Sequence, residues 1–259
     1  MSFRSLRTAA LVLAGVGTLA CDSLPGRPTE ADRYVRPVDV VDFDTLYGEH
    51  CSGCHGADGR MGPARPLNDP IFLAVADKND LVQAIRTGKP GTPSPAFAIS
   101  EGGTLSDAQI EAIVTGIRDH WSDPRAAGPD LPPYSEADSL AAGLAPGNPD
   151  SGATAFARHC SGCHGDGGTG SPTAGSVVDG SYLALSSDQS LRSTVIAGRL
   201  DLGMPDFRGY RSAGRASALR PQEISDIVAW LAAQRREFPG QTYPEGTHTP
   251  PMAAPKKRS

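Results

Sequence analysis

Two stretches of the chain place apolar residues at the period of an α-helix. Ile110, Ile113, Val114 and Ile117 fall at i, i+3, i+4 and i+7, and Ile224, Ile227, Val228 and Leu231 repeat the spacing. Each set lines one helix face and predicts a buried stripe. Ser106-Asp107-Ala108-Gln109 before the first stripe is a capping-box pattern that marks the helix start. The second stripe has Pro221 near its first turn, where a missing N–H is tolerated. The first helix is expected to end near His120 and Trp121. Shorter helices are predicted upstream of each stripe. Asp42 is placed to cap a helix running through Leu46 and Tyr47, and Asp150 to cap one running through Phe156. Residues 69–85 read as one or two short helices, with Phe72, Leu73, Leu81 and Ile85 apolar.

These elements occur twice in the same order. Residues 69–97 align without a gap to 179–207 at an offset of 110, pairing Asp69 with Asp179, Leu73 with Leu183, Ala74 with Ala184, Leu81 with Leu191, Gly88 with Gly198, Pro95 with Pro205 and Phe97 with Phe207. The Cys-Ser-Gly-Cys-His pentapeptides, Cys51–His55 and Cys160–His164, are offset by 109, so one residue of slippage lies in the glycine-rich loop between motif and helix. The predicted organisation is a first domain at 42–122, a linker at 123–149, a second domain at 150–236 and a disordered tail at 237–259. The linker call rests on Pro124, Pro129, Pro132, Pro133, Pro146 and Pro149 and on the lack of a long apolar period. On the closing helices Trp230 stands where the first domain has Gly116.

The amino terminus changes the picture of where the chain resides. Arg4 and Arg7 precede an apolar run from Ala9 to Ala20, too short to span a bilayer comfortably, and residues 1–20 read as a secretory signal. The run ends Gly17-Thr18-Leu19-Ala20-Cys21, which resembles a bacterial lipoprotein signal with Cys21 as the lipidated residue; the departure is Thr18 where the usual Leu would stand. An ordinary signal peptide with an incidental Cys and an uncleaved anchor are the alternatives. Residues 21–41 then form a tether. The 259 residues carry a formal charge of −5, and from Cys21 onward 22 basic face 29 acidic side chains. With no basic stripe, a nucleic-acid partner is excluded. Aromatic content is only 6%, a modest supply for two small cores.

Four of the five Cys fall in the two pentapeptides. Cys-x-x-Cys-His is the attachment signature of c-type haem: Cys51 and Cys54, and again Cys160 and Cys163, bind the porphyrin, while His55 and His164 reach the iron. Zinc would need a second ligand pair at each site, and no further Cys supplies one. A redox dithiol would not need the His in both copies. Two covalent haem c groups are therefore expected. Each would provide apolar surface for its domain to close around.

The residues around the motifs resemble class I cytochromes c, over about 165 residues in two tandem domains. The resemblance implies an all-α fold, each domain wrapped around one attached haem. It implies that Pro63, in the loop after His55, orients the His ring through its carbonyl. Tyr47 and Phe156, four residues before each motif, would pack on the closing helix and haem edge. In Gly203-Met204-Pro205-Asp206-Phe207, 40 residues after His164, Met204 matches the distal ligand; sulfur favours Fe(II) and raises the potential relative to two His. The gapless alignment puts Ser94 where the first domain should have its Met, and a hydroxyl is a poor iron ligand. An open or weakly ligated first haem ranks first. Met61, Lys89, His120 and His248 are the other candidates, with His50 set aside because His159 holds the same place beside an intact Met loop.

The function expected is electron transfer on the periplasmic side of the cytoplasmic membrane. The chain would be lipid-anchored, or else soluble in the periplasm. It would pass electrons between a respiratory complex or dehydrogenase and a terminal oxidase or other acceptor, with no dissociable small-molecule substrate. It would not itself be an enzyme, though it could be a subunit of an oxidoreductase complex. A peroxidase-like enzyme or a gas sensor using an open first haem is the alternative class.

Overall fold

The computed structural model describes residues 33–90, 92–126, 128, 130–209 and 218–236. The expected signal at 1–20, Cys21 with the first part of the tether, and the tail at 237–259 with His248 lie outside the described residues. Residues up to Val40 form a unit of their own. Its described part holds one 3₁₀ turn, Pro37–Asp39, with Arg36 Nε 2.6 Å from Asp39 Oδ2.

From Val41 onward the described residues are all-α. The elements are α1 (Phe43–His50), α2 (Ser52–His55), α3 (Pro70–Val75), α4 (Lys78–Thr87), α5 (Asp107–Trp121), α6 (Glu136–Ala141), α7 (Pro149–His159), α8 (Ser161–His164), α9 (Gly180–Ala184), α10 (Asp188–Ala197) and α11 (Pro221–Ala233). Among the described residues, extended pairing is limited to two isolated bridges, Ala98–Leu105 and Arg199–Met204.

The starts of these helices follow from short polar side chains. Asp42 accepts from the Thr45 N–H at 2.9 Å, and Asp69 accepts from the Ile71 and Phe72 N–H groups at 3.0 and 3.1 Å. Ser106 and Gln109 cap each other reciprocally, as the pattern predicts. Asp150 does not cap α7. Asn148 Oδ1 accepts from the Ser151 N–H at 2.9 Å and Pro149 takes the first helical position, because proline's fixed φ starts the helix two residues earlier. Asp150 falls in the first turn, where its charge suits the positive end of the helix dipole.

The α5 stripe is buried as expected, with Ile110, Ile113, Val114 and Ile117 at most 1% exposed and clustered with Leu46 of α1 and Leu73 of α3. Most of the α11 stripe clusters with Ala155, Leu183 and Leu191. The two repeats do not keep separate cores: Ile196, Ala197, Phe207 and Ile224 of the second join the larger cluster of the first.

The crossing of the opening helix with the closing helix occurs in both repeats, but large and small residues are exchanged across it. In the first, a Cβ at Gly116 of α5 would run into the ring of Phe43 of α1. In the second, Gly152 stands at the place of Phe43, and a Cβ there would run into the Asp226 carbonyl and lie 2.7 Å from Trp230 Cβ. Trp230 packs on Phe156 at 4.5 Å, as Trp121 packs on Tyr47 at 5.1 Å. Trp230 in place of Gly116 is therefore one half of a swap whose other half is Gly152 in place of Phe43.

The stretch expected as a linker is bonded down along much of its length. Arg192 of α10 is 2% exposed, and its guanidinium donates to the Pro133 carbonyl at 3.0 Å, to Ser139 Oγ of α6 and to Ser225 Oγ of α11 at 2.9 Å. The Asn148 N–H donates to Asp226 Oδ1 at 2.9 Å. Among the described residues no helix is long and apolar enough to cross a membrane.

Candidate haem sites

Both pentapeptides fold identically. Cys51 and Cys160 are N-caps of the four-residue helices α2 and α8, so the second Cys and the His follow on a single turn. Gly56 and Gly165 end those turns at φ +86° and +76°, which a side chain would resist. The loop then doubles back so closely that a Cβ at Gly62 would lie 2.7 Å from the His55 carbonyl carbon. Cys51 and Cys160 are half-buried, while Cys54 and Cys163 are exposed. Burial first, and then the neighbouring Cys, pushes the Cys51 and Cys160 thiols up to about 11. A nucleophilic thiolate needs the opposite shift, so Cys51 and Cys160 are not poised as one. Among the described residues no group of three or more His, Cys, Asp or Glu is arranged to hold a metal ion.

The His rings are aimed by backbone carbonyls. His55 Nδ1 donates to the Arg65 carbonyl at 2.7 Å, and His164 Nδ1 to that of Gly175 at 3.2 Å. This fixes the proton on Nδ1 and leaves the Nε2 lone pair free for a metal. Pro63, expected to supply the carbonyl in the first repeat, is therefore two residues off. The loop needs two further residues to bring a carbonyl back under the ring. From His to carbonyl is ten residues in the first repeat and eleven in the second, so the slip between the offsets of 109 and 110 falls here. The Gly59 carbonyl accepts from the Leu67 N–H and the Gly168 carbonyl from the Val177 N–H, which narrows it to the segments 60–65 and 169–175. Burial, ahead of the nearby Arg65 and Lys89 charges, lowers the pKa of His55.

The distal loops also share one framework. Gly88 and Gly198 end α4 and α10 at φ +65° and +73°, and a Cβ at either would meet the following Pro95 or Pro205. The Lys89 N–H donates to the Ser94 carbonyl at 3.0 Å, and the Arg199 N–H to the Met204 carbonyl at 3.1 Å, so Ser94 and Met204 occupy the same place. The flanks differ. Arg199 forms a two-pronged pair with Asp201 at 3.0 and 2.9 Å, whose side chains are 16% and 2% exposed. Lys89 stands at the place of Arg199 and Gly91 at that of Asp201. Lys89 is half-buried, and burial, then the Arg65 charge, lowers its pKa.

The other candidates for the first site are scattered. Met61 lies in the loop after His55 with its side chain 69% exposed and φ +62°. His120 stacks on Phe43 at 4.8 Å and donates from Nδ1 to the Gly116 carbonyl. His50 packs edge-on to Phe97 at 6.4 Å.

Sequence reasoning missed a junction between the two sites. The Met61 N–H donates to Asp201 Oδ2 at 3.3 Å, Arg199 Nη2 to the Gly62 carbonyl at 3.4 Å, and Arg65 Nη2 to the Ser193 carbonyl of α10 at 3.2 Å. The loop after the first His thus meets the loop that carries Met204. Arg65 lies over the Phe72 ring at 4.0 Å, and its Nε and Nη1 are buried without a partner. His159 Nε2 is buried without a hydrogen bond and lies 3.8 Å from Glu223 Oε1. The orphaned Arg65 donors beside the first motif fit a bound group with its own acceptors, and haem carries two carboxylates.

Residues 149–234 match the family model described as Cytochrome c, and residues 39–115 match Cytochrome C oxidase, cbb3-type, subunit III. Over 173 residues the chain is 28% identical to the Cbb3-type cytochrome c oxidase subunit FixP of a Bradyrhizobium species, which covers 64% of this chain and 53% of that protein. The chain thus spans about half the length of the curated relatives it matches. A stretch of 71 residues is 37% identical to Dihydro-heme d1 dehydrogenase of Pseudomonas aeruginosa, covering 27% of this chain and 13% of that one. Among solved structures, a chain of a Kuenenia stuttgartiensis reducing HAO-like protein complex is similar at 16% identity and a TM-score of 0.38, covering 83% of this chain and 100% of that one.

Proposed function

We propose that this electron-transferring c-type cytochrome carries two inequivalent haems and serves as a relay on the periplasmic face of a membrane, feeding a terminal oxidase. The observation that carries the reading is the duplicated site: two Cys-Ser-Gly-Cys-His turns, each with its His Nδ1 bonded to a loop carbonyl. When bound, haem supplies a one-electron iron couple; the chain supplies attachment, ligands and burial. Cys51 and Cys54 hold the first haem and Cys160 and Cys163 the second, with His55 and His164 as proximal ligands. Met204 is the sixth ligand of the second haem, on the loop that Arg199 and Asp201 brace. The first haem has no sulfur ligand, because Ser94 takes the place of Met204.

The partner proposed is a membrane oxidase of the cbb3 type, on the strength of similarity to FixP, with Cys21 as a lipid anchor. Spectroscopy of the oxidised protein tests the ligand set. The mature mass should include two covalent haems, with one low-spin His/Met signal and one high-spin signal. Met204→Ala should remove the first signal and its sulfur-to-iron charge-transfer band. Two His/Met signals in the unmodified protein would refute the reading of Ser94. Ser94 in the Met204 position also favours a second reading, in which the first haem binds a small ligand. Carbon monoxide binding at that haem, with and without peroxide turnover, separates a sensor from an enzyme.

A further inference from the structure

We infer that Arg65 is the receptor for haem carboxylate at the junction of the two repeats, an inference that rests on the di-haem reading above. The guanidinium has five N–H donors and always carries charge at neutral pH. One nitrogen, Nη2, donates to the Ser193 carbonyl at 3.2 Å, and the plane is stacked on Phe72. Nε and Nη1 are buried with no partner. They lie on different edges of the guanidinium, so they call for two separate acceptor oxygens. A buried cation left without an anion is strongly destabilising.

The chain's nearby acids are committed elsewhere. The Asp69 carboxylate accepts from the Ile71 and Phe72 N–H groups at the start of α3, and that of Asp201 is held by Arg199 and the Met61 N–H. The missing anion must come from a bound group. The Arg65 carbonyl aims His55, so the orphaned donors belong to the residue bonded directly to a proposed haem ligand. Burial pulls the Arg65 pKa down to about 10, which leaves it charged at neutral pH. In the second repeat Gly175 supplies the corresponding carbonyl and no cation. Because Arg65 reaches α10, the carboxylate could belong to either haem. A cation paired to a haem carboxylate disfavours the extra positive charge of Fe(III) and so raises that haem's potential.

The test uses the full-length, haem-loaded protein, with the two midpoint potentials measured in Arg65→Gln and Arg65→Lys. The backbone carbonyl stays in both, so proximal ligation at His55 is kept. Arg65→Gln should lower one potential by at least tenfold in the reduced-to-oxidised ratio at fixed poise, which is 59 mV for one electron. Arg65→Lys should retain most of the wild-type value. A Met204→Ala background marks the second haem and tells which carboxylate is bound. Unchanged potentials in Arg65→Gln, even with lower stability, would overturn the inference, as would equal losses in both variants. If Arg65→Gln fails to mature, the propionate bending bands of the unmodified protein in H2O and D2O decide: a deuterium shift is expected, and its absence overturns the assignment. A mature mass with fewer than two haems would instead refute the di-haem reading.

Discussion

Replacing Asp201 by Asn should loosen Met204 without touching it. Oδ1 of Asp201 accepts from Arg199 Nε at 3.0 Å, while Oδ2 accepts from Arg199 Nη2 at 2.9 Å and from the Met61 N–H at 3.3 Å. Asparagine keeps the shape but offers one acceptor oxygen. Its amide would face either the guanidinium or the Met61 N–H, donor against donor. Breaking a fully buried pair costs about 3–5 kcal/mol, and a hydrogen bond to a charged group about 1.5–3 kcal/mol. Arg199 is 16% exposed and still reaches the Gly62 carbonyl, so a loss of about 2–3 kcal/mol is expected here. Arg199 exchanges two backbone hydrogen bonds with Met204, so the loss bears directly on the ligand loop. The closed loop should become about 30- to 150-fold less favoured. The assay is the sulfur-to-iron charge-transfer band of the oxidised protein, followed on heating and on acidification. Hydrogen bonds from Arg199 hold the Asp201 pKa below the usual carboxylate range. Its contribution is therefore fully present above the ordinary carboxylate pKa and fades as pH falls through the depressed value. In the wild type the band should persist to low pH, and in Asp201→Asn it should vanish at lower temperature with that acid step removed. A band as heat-stable as wild type, in a protein whose unfolding midpoint has fallen, would refute the link between the pair and the ligand loop.

The paired loops and crossings lead to three further outcomes. Ser94→Met should convert the first haem to a low-spin His/Met species with a higher potential, because the Lys89–Ser94 loop is closed like the Arg199–Met204 loop; an unchanged first-haem spectrum would count against that equivalence. Gly152→Ala should destabilise by about 1–3 kcal/mol despite alanine's better helix propensity, since its Cβ meets the Asp226 carbonyl, which cannot rotate away. The atoms nearest a Cβ at Gly116 are those of the Phe43 ring, so Phe43→Ala should rescue Gly116→Ala in a double-mutant denaturation cycle.

The helices and the attachment turns were legible in the sequence because each rests on local chemistry. Apolar period, Ser106 with Gln109, and Asp42 as a cap are short-range signals, and the structure uses them as written. The error at Asp150 has the same local origin: Asn148-Pro149 is the stronger start, one proline earlier. What was not legible is long-range. The Pro63 expectation came from resemblance, yet the carbonyl that reaches His55 depends on the path of a whole glycine-rich loop. Arg192 sits at an ordinary helix position, and nothing in its neighbours announces that it gathers Pro133, Ser139 and Ser225 from two other segments. The Phe43/Gly152 and Gly116/Trp230 exchange was half visible, since Trp230 drew notice while Gly152 did not. Only the crossing of two helices makes them one feature.

The two sites then differ in two ways that oppose each other. On the proposed ligand set, Ser94 in place of a thioether would lower the potential of the first haem relative to the second. Buried positive charge near the iron acts in the opposite direction. Lys89 bears on His55 with no ion pair among the described residues, whereas Arg199 at the second site is neutralised by Asp201. On that proposal ligation alone would set the two haems far apart in potential, and the charge distribution would draw them together. A relay needs that compensation, because an electron passing between haems of widely different potential becomes trapped on the higher one. The Lys89–Gly91 and Arg199–Asp201 alternatives fit the same adjustment: the repeat with Ser94 carries a cation with no ion pair among the described residues, and the repeat with Met204 pairs its own.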